Sequence, residues 1–122
     1  MRTTDFESLV AEVIDQLPPD FGEKLRNVDV VVEPGPTRRE LEELGVPPGA
    51  LLLGRYRGVP LTARGSAPWS FQMPDEIVIF QRSIEQYART RKQLMEQVRK
   101  TVLHEIAHHF GIPDERLREL GY

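Results

Sequence analysis

The residues of this chain best suited to chemistry are concentrated in the stretch TVLHEIAHHFGIPDERLREL, residues 101–120. All three histidines, His104, His108 and His109, lie there, and Glu105 stands among them. Residues four apart on a helix share one face, so His104 and His108 can both bind one metal ion. Glu105 lies about 100 degrees further round and can reach a water molecule held by that ion. The spacing therefore predicts two zinc ligands and a general base.

A third ligand is needed, because catalytic zinc usually takes three protein ligands and keeps one position for water. Gly111 follows His108 by three residues, and Asp114 follows Gly111 by three. Glycine adopts positive φ at no steric cost, so the chain can turn sharply at Gly111 and return a carboxylate towards the histidines. The spacing favours Asp114 as the third ligand, with the neighbouring Glu115 as its rival.

Four more polar side chains can assist such a site. His109 faces about 100 degrees away from His108, so we interpret it as a core histidine or as one that supports the ligands. Tyr56, Tyr87 and Tyr122 are the only phenols of the chain. One of them can donate a hydrogen bond to an oxyanion, but each is more typical of a packing residue.

Composition indicates one ordinary globular domain. The chain has 122 residues, 39% of them hydrophobic, and no cysteine, which excludes thiol catalysis and cysteine-based zinc sites. A net charge of -3 gives no overall electrostatic footprint for nucleic acid. No apolar run approaches the roughly 20 residues that cross a bilayer, and the acidic N-terminal segment lacks the features of a signal peptide. We expect a cytoplasmic protein without nucleic-acid or membrane partners, whose oligomeric state and peptide or protein substrate the sequence does not specify.

Hydrophobic periodicity predicts the elements that must position the motif. Helical spacing covers residues 4–17, 37–44 and 83–110, with a capping box at T37-R-R-E40 and a break near Arg89-Thr90. Runs rich in β-branched or apolar residues predict strands at 28–32, 51–56 and 76–81, with a bulge at Gly54. Together they predict an α+β domain, in which a small mixed sheet of three to four strands packs against helices. The motif then lies on a long helix in the C-terminal half.

Three segments outside the motif allow alternative interpretations. The strand EIVIFQ, residues 76–81, is interpreted as a core strand or as an edge strand along which an extended peptide adds, and the two interpretations are compatible. Trp69, Phe71 and Met73 form either a satellite core or an exposed lid or partner surface. The basic run at 89–100 is typical of a solvated helix face.

The segment HEIAHHFGIPDERL, with the amphipathic helix before it and the EIVIFQ strand, resembles the zincins. Within them it is similar to the group whose third ligand is aspartate, and it looks like a family of small zincin-like bacterial proteins. The resemblance is strong over residues 76–120 and loose over the remainder. It implies a single minimal zincin-like domain over residues 1–122.

By this resemblance, His104, His108 and Asp114 bind Zn²⁺, and Glu105 is the catalytic glutamate. The implied activity is that of a metallopeptidase, latent or narrowly specific, which hydrolyses peptide bonds with a metal-activated water. The chain departs from the metzincins in two respects. They have a histidine where this chain has Asp114, and they have a methionine turn further on, whereas no methionine follows Asp114 here. The alternative is a catalytically inactive zincin-like module that binds metal and acts through a protein partner.

Overall fold

The computed structural model describes residues 1–58 and 74–122, which form helices around a small sheet. In chain order the elements are α1 (Thr3–Asp15), α2 (Pro19–Lys24), a 3-10 turn (Leu25–Asn27), β1 (Val28–Glu33), α3 (Arg38–Glu43), β2 (Gly54–Arg57), β3 (Asp75–Phe80), α4 (Gln81–Tyr87), α5 (Arg91–Phe110) and α6 (Asp114–Glu119). The strands form one mixed sheet in the order β1-β3-β2. The predicted α+β architecture is confirmed.

The strand β3 is the centre of this sheet. It pairs in parallel with β1, where Val30 lies opposite Ile77, and antiparallel with β2, where Tyr56 lies opposite Ile77. Its residues from Ile77 to Phe80 are fully buried, as expected for a strand covered on both faces. The interpretation of 76–81 as a core strand is confirmed, and its interpretation as the sheet edge is wrong. In the described part of the chain, β1 and β2 are the two edge strands, and β2 is the one that contacts the motif.

The helix α5 packs along the sheet and supplies much of the core. Val98, Val102 and Ile106 recur every four residues on its buried face and are fully enclosed. They pack in one cluster with α1, β3 and the later helices, whose buried members include Phe6, Leu9, Val13, Ile77, Ile79 and Leu117. A capping box between Thr90 and Gln93 begins the helix, which confirms the predicted break before it. The motif thus lies on a helix that is packed against the core.

Gly54 allows the edge strand β2 to lie directly against α5. A β-carbon at this position would stand 2.7 Å from Cγ2 of Thr101 and 2.7 Å from the carbonyl oxygen of Val78. The pairing of Gly54 with Ile79 continues through the rest of β2 without interruption. The glycine therefore marks a close approach of backbone to helix, and the predicted bulge is wrong. This approach brings the backbone of Tyr56 to the motif.

A cluster of ion pairs holds β2 from the face opposite α5. Arg55 Nη1 and Arg57 Nη2 both donate to Oε2 of Glu40, at 3.0 and 3.2 Å, and Arg57 also pairs with Glu33 at 3.0 Å. Glu40 completes the predicted capping box of α3 by accepting from the backbone N–H of Thr37. Although burial opposes its charge, the hydrogen bonds from Thr37, Arg55 and Arg57 lower the pKa of Glu40. The strand that borders the motif is therefore fixed on both faces.

Two other expectations concern membrane-spanning segments and the aromatic cluster near residue 70. Within the two described ranges, no helix has the length and apolar character needed to cross a membrane. The cluster of Trp69, Phe71 and Met73 falls outside the described residues.

Candidate metal centre and active site

The two histidines of the motif lie one turn apart on the C-terminal half of α5. Their four-residue spacing places both on one helix face, as the sequence predicts. His104 is half-buried and His108 is exposed. One imidazole is thus set into the protein and the other stands at its surface.

The Nε2 atom of His104 is buried and has no hydrogen-bond partner in the described part of the chain. Such an unsatisfied atom costs about 1–3 kcal/mol unless something binds it. Burial, followed by the electrostatic effects of Lys100 and His108, lowers the pKa of His104, which favours the neutral ring near pH 7. Neutral imidazole is the form that binds a metal ion. This orphaned nitrogen therefore fits the role of a zinc ligand.

Gly111 turns the chain at the end of α5. It adopts the left-handed conformation, with φ 69° and ψ 27°. The next residue, Ile112, donates its backbone N–H to the carbonyl oxygen of Ala107 at 3.1 Å. This αL ending confirms the predicted turn and leads into α6, where the exposed Asp114 is the first residue. Its negative charge opposes the lowering of the His104 pKa, so the carboxylate acts on that histidine.

The predicted ligands are not drawn together into a coordination group. Among the described residues, no three or more histidine, aspartate or glutamate side chains are arranged to hold a metal ion. His104 and His108 share a helix face, whereas Asp114 and Glu115 both lie exposed beyond the turn. The identity of the third ligand therefore stays a prediction.

Glu105 is attached to the edge strand through its side chain. Its Oε2 accepts a hydrogen bond from the backbone N–H of Tyr56 at 3.1 Å. Burial raises the pKa of Glu105, against the opposing effects of His109 and of the Tyr56 hydrogen bond. A carboxylate with a raised pKa is a stronger base at neutral pH. Since no described group donates to Oε1, that oxygen remains available to accept a proton.

His109 supports this glutamate. Its ring stacks on that of Tyr56, with centroids 4.2 Å apart and planes inclined by 17°. Its Nε2 lies 3.6 Å from Oε2 of Glu105, and its side chain is 44% exposed. The interpretation of His109 as a core residue is therefore wrong, and the supporting role is the one that the geometry fits.

The three phenols occupy different surroundings. The hydroxyl of Tyr56 donates to Asp75, and that of Tyr122 donates to Glu96. Burial, together with Glu96, raises the pKa of Tyr122 to about 12. Tyr122 also places its ring edge-on to His104, with centroids 6.4 Å apart. Tyr87 is 61% exposed at the end of α4, where it borders an open cleft.

This cleft has a volume of about 390 Å³ and reaches the motif itself. It lies between the start of β2, the end of α4 and one face of α5, and its walls are formed by Leu53, Gly54, Tyr87, Gln97, Lys100, Thr101, His104 and Glu105. Its volume is in the range of ligand pockets, about 300–1,000 Å³. A larger concavity of about 570 Å³, between α1 and the start of α5, contains no residue of the motif. The smaller cleft is therefore the one that chemistry at Glu105 can use.

Two participants were not identified from the sequence. The amide of Tyr56 leaves no signal there, because every residue except proline carries the same backbone group. Lys100 belongs to the run interpreted as a solvated face, yet it lies four residues before His104 and borders the cleft. That helical spacing is the signal that could have found it.

Replacing Gly111 with alanine is expected to lower the free energy of unfolding by about 1–2 kcal/mol, since an L side chain is strained at positive φ. The matched control is Gly35→Ala, because Gly35 has an ordinary φ and a β-carbon added at either glycine would meet no atom within 4 Å. Urea unfolding of both variants measures the difference. Equal stability of the two variants would show that the left-handed turn does not constrain the end of α5.

Comparison with known proteins places this geometry in context. Residues 25–122 match the family model described as zincin-like metallopeptidase. A solved structure of a conserved hypothetical protein from T. thermophilus is similar at 24% identity and a TM-score of 0.57. The match covers 94% of this chain and 99% of that one, and at this identity it supports the fold alone. No curated protein gives a significant match.

Proposed function

Because this chain belongs to the zincin-like metallopeptidase family, we propose that it is a zinc-dependent metallopeptidase. The observation that carries the proposal is the buried Nε2 of His104, which has no hydrogen-bond partner among the described residues, on a side chain that lines the same cleft as Glu105. Two imidazoles and one carboxylate are a typical donor set for catalytic zinc. In this proposal His104, His108 and Asp114 hold the ion, and Glu105 is the general base.

The proposed ligands contribute to metal binding in different ways. A bound zinc ion supplies Lewis acidity, which lowers the pKa of water towards about 7 and stabilises developing negative charge. His104 provides a neutral nitrogen that burial keeps unprotonated. Asp114 provides negative charge, which strengthens binding of the cation but weakens its Lewis acidity compared with a third imidazole. The side chains of His108 and Asp114 are exposed, whereas that of His104 is half-buried.

Glu105 moves the proton. Its Oε1 accepts a proton from the attacking water and returns it to the leaving amine nitrogen. Its Oε2 stays bound to the N–H of Tyr56, so the carboxylate keeps its orientation while the other oxygen reacts. His109 packs on Tyr56 beside this carboxylate and limits its movement. The raised pKa of Glu105 suits a group that must take up a proton near neutral pH.

The substrate reaches this site along β2. That strand pairs with β3 on one side, and in the described part of the chain its other side has no partner strand. An extended peptide can add to such an edge through backbone hydrogen bonds. Strand addition, first considered for residues 76–81, is therefore proposed for β2 instead.

Removal and return of the metal tests the proposal. Protein stripped with a chelator is expected to lose hydrolysis of unstructured peptides, and stoichiometric Zn²⁺ is expected to restore it. Mg²⁺ should not restore activity, because it prefers oxygen ligands to imidazole. If the zinc-bound protein cleaves no peptide of a broad panel, the enzymatic proposal fails. The inactive metal-binding module that acts through a protein partner then takes its place.

A further inference from the structure

The cleft beside the motif has an uneven chemical lining. Leu53 supplies an apolar wall, and the amide of Gln97 supplies hydrogen-bond donors. The hydroxyl of Thr101 already donates to the carbonyl oxygen of Gln97 at 2.7 Å, so it is not available to a ligand. Lys100 is the cationic side chain of the lining, and Glu105 is its carboxylate. The cleft therefore carries one cationic side chain besides the reacting carboxylate.

Lys100 has no ion-pair partner within 4.0 Å among the described residues, whereas Arg55 and Arg57 of β2 are both paired. It lies one helical turn before His104, which is about 6 Å along the axis of α5. An ammonium group in a cleft wall, without a protein carboxylate to neutralise it, can take a carboxylate from a ligand.

The negative charge of Glu105 does not neutralise the positive charge of Lys100. Glu105 is engaged by the N–H of Tyr56 and lies 3.6 Å from Nε2 of His109, both of which stabilise its negative charge locally. Its side chain is only 22% exposed, whereas Lys100 is exposed. A ligand entering from solvent therefore meets the lysine charge first.

We propose that this cleft is a subsite for a carboxylate of the substrate peptide, recognised by Lys100. The inference rests on the proposed function, because it assigns a specificity to the same site. An extended peptide advances about 3.3 Å per residue, so a group bound one helical turn from His104 belongs to a residue within about two positions of the scissile bond. The carboxylate is that of a glutamate or aspartate side chain or of the peptide C-terminus. Leu53 packs against the methylene groups of such a side chain.

Matched peptides test this subsite on the zinc-loaded protein. The set is blocked at both ends and carries Glu, Gln or Lys at each of several positions, and a further Gln peptide has a free C-terminal carboxylate. The value of kcat/KM is compared where a peptide is cleaved, and Kd from fluorescence anisotropy is compared where it is not. We expect the Glu peptide to exceed the Gln peptide about two- to fivefold at one or two adjacent positions. A preference only for the free C-terminus would identify the terminal carboxylate as the source.

Charge reversal assigns the effect to one residue. Lys100→Glu should abolish the preference for Glu and favour the Lys peptide. The control is Lys92→Glu, the same change at an exposed position two turns earlier on α5, where the side chain borders the other concavity. It should leave the preference unchanged.

The possible failures are separable. If peptides are cleaved without preference for any carboxylate, or if the preference survives Lys100→Glu, the subsite proposal is wrong and the peptidase proposal stands. If acidic peptides bind selectively through Lys100 but none is cleaved, the subsite stands and the peptidase proposal fails.

Discussion

Glu105→Gln is expected to reduce peptide hydrolysis by about 10²–10⁴-fold, which is the usual loss when a general base is removed. Glutamine keeps the size of the side chain and an oxygen that can accept the N–H of Tyr56. It has no oxygen basic enough to take the proton of the attacking water. Fold and zinc content should therefore stay nearly unchanged, because Glu105 is not a proposed ligand. The measurement is kcat/KM on unstructured peptides, with zinc content and thermal unfolding of the same samples.

The matched control is Glu23→Gln on α2. Glu23 is exposed and lies on a helix that contributes nothing to the cleft, so its replacement should preserve the full rate. If Glu105→Gln cleaves as fast as the native protein, Glu105 is not the base. If it loses both activity and zinc, Glu105 has a role in holding the ion instead.

His104→Ala and His108→Ala are each expected to weaken zinc binding by about 100-fold or more, because each removes a side chain proposed to bind the ion directly. The metal-free stability should fall little at His108, which is exposed. At His104 the change also removes a buried nitrogen that has no partner in the described structure, which partly offsets the lost packing. Competition with a chelator of known affinity gives the dissociation constants.

His109→Ala is the control for this pair, since His109 contacts Tyr56 and approaches Glu105 rather than sharing the His104–His108 face. It should bind zinc as the native protein does. Zinc affinity that is unchanged after replacement of both His104 and His108 would refute their assignment. The same titration separates Asp114→Asn from Glu115→Gln, and the larger loss identifies the third ligand.

The features that the sequence predicted correctly are local ones. The helix that carries the motif, the break at Arg89-Thr90 and the turn at Gly111 each depend on residues within about one or two helical turns. Their spacing can therefore be interpreted without knowledge of the tertiary structure. The same holds for the box that links Thr37 and Glu40.

The features that were missed depend on contacts between distant parts of the chain. The apolar run at 76–81 suits either an edge strand or a central strand of a sheet. Pairing with both β1 and β2 makes it the central strand β3. Gly54 is explained only by its approach to Thr101, which is remote in sequence. The bond from Tyr56 to Glu105 spans 49 residues and uses a backbone group. Hydrophobic patterning does not encode such pairings.

Diffraction at the zinc absorption edge, from crystals grown with stoichiometric Zn²⁺, tests the central claim most directly. We predict one anomalous peak per chain, about 2.0–2.1 Å from a ring nitrogen of His104 and of His108. A carboxylate oxygen of Asp114 should lie about 2.0–2.2 Å from the same peak, and a position facing the cleft should hold water. A peak elsewhere on the protein, or one that either histidine does not contact, would contradict the assignment of this helix as a metallopeptidase centre.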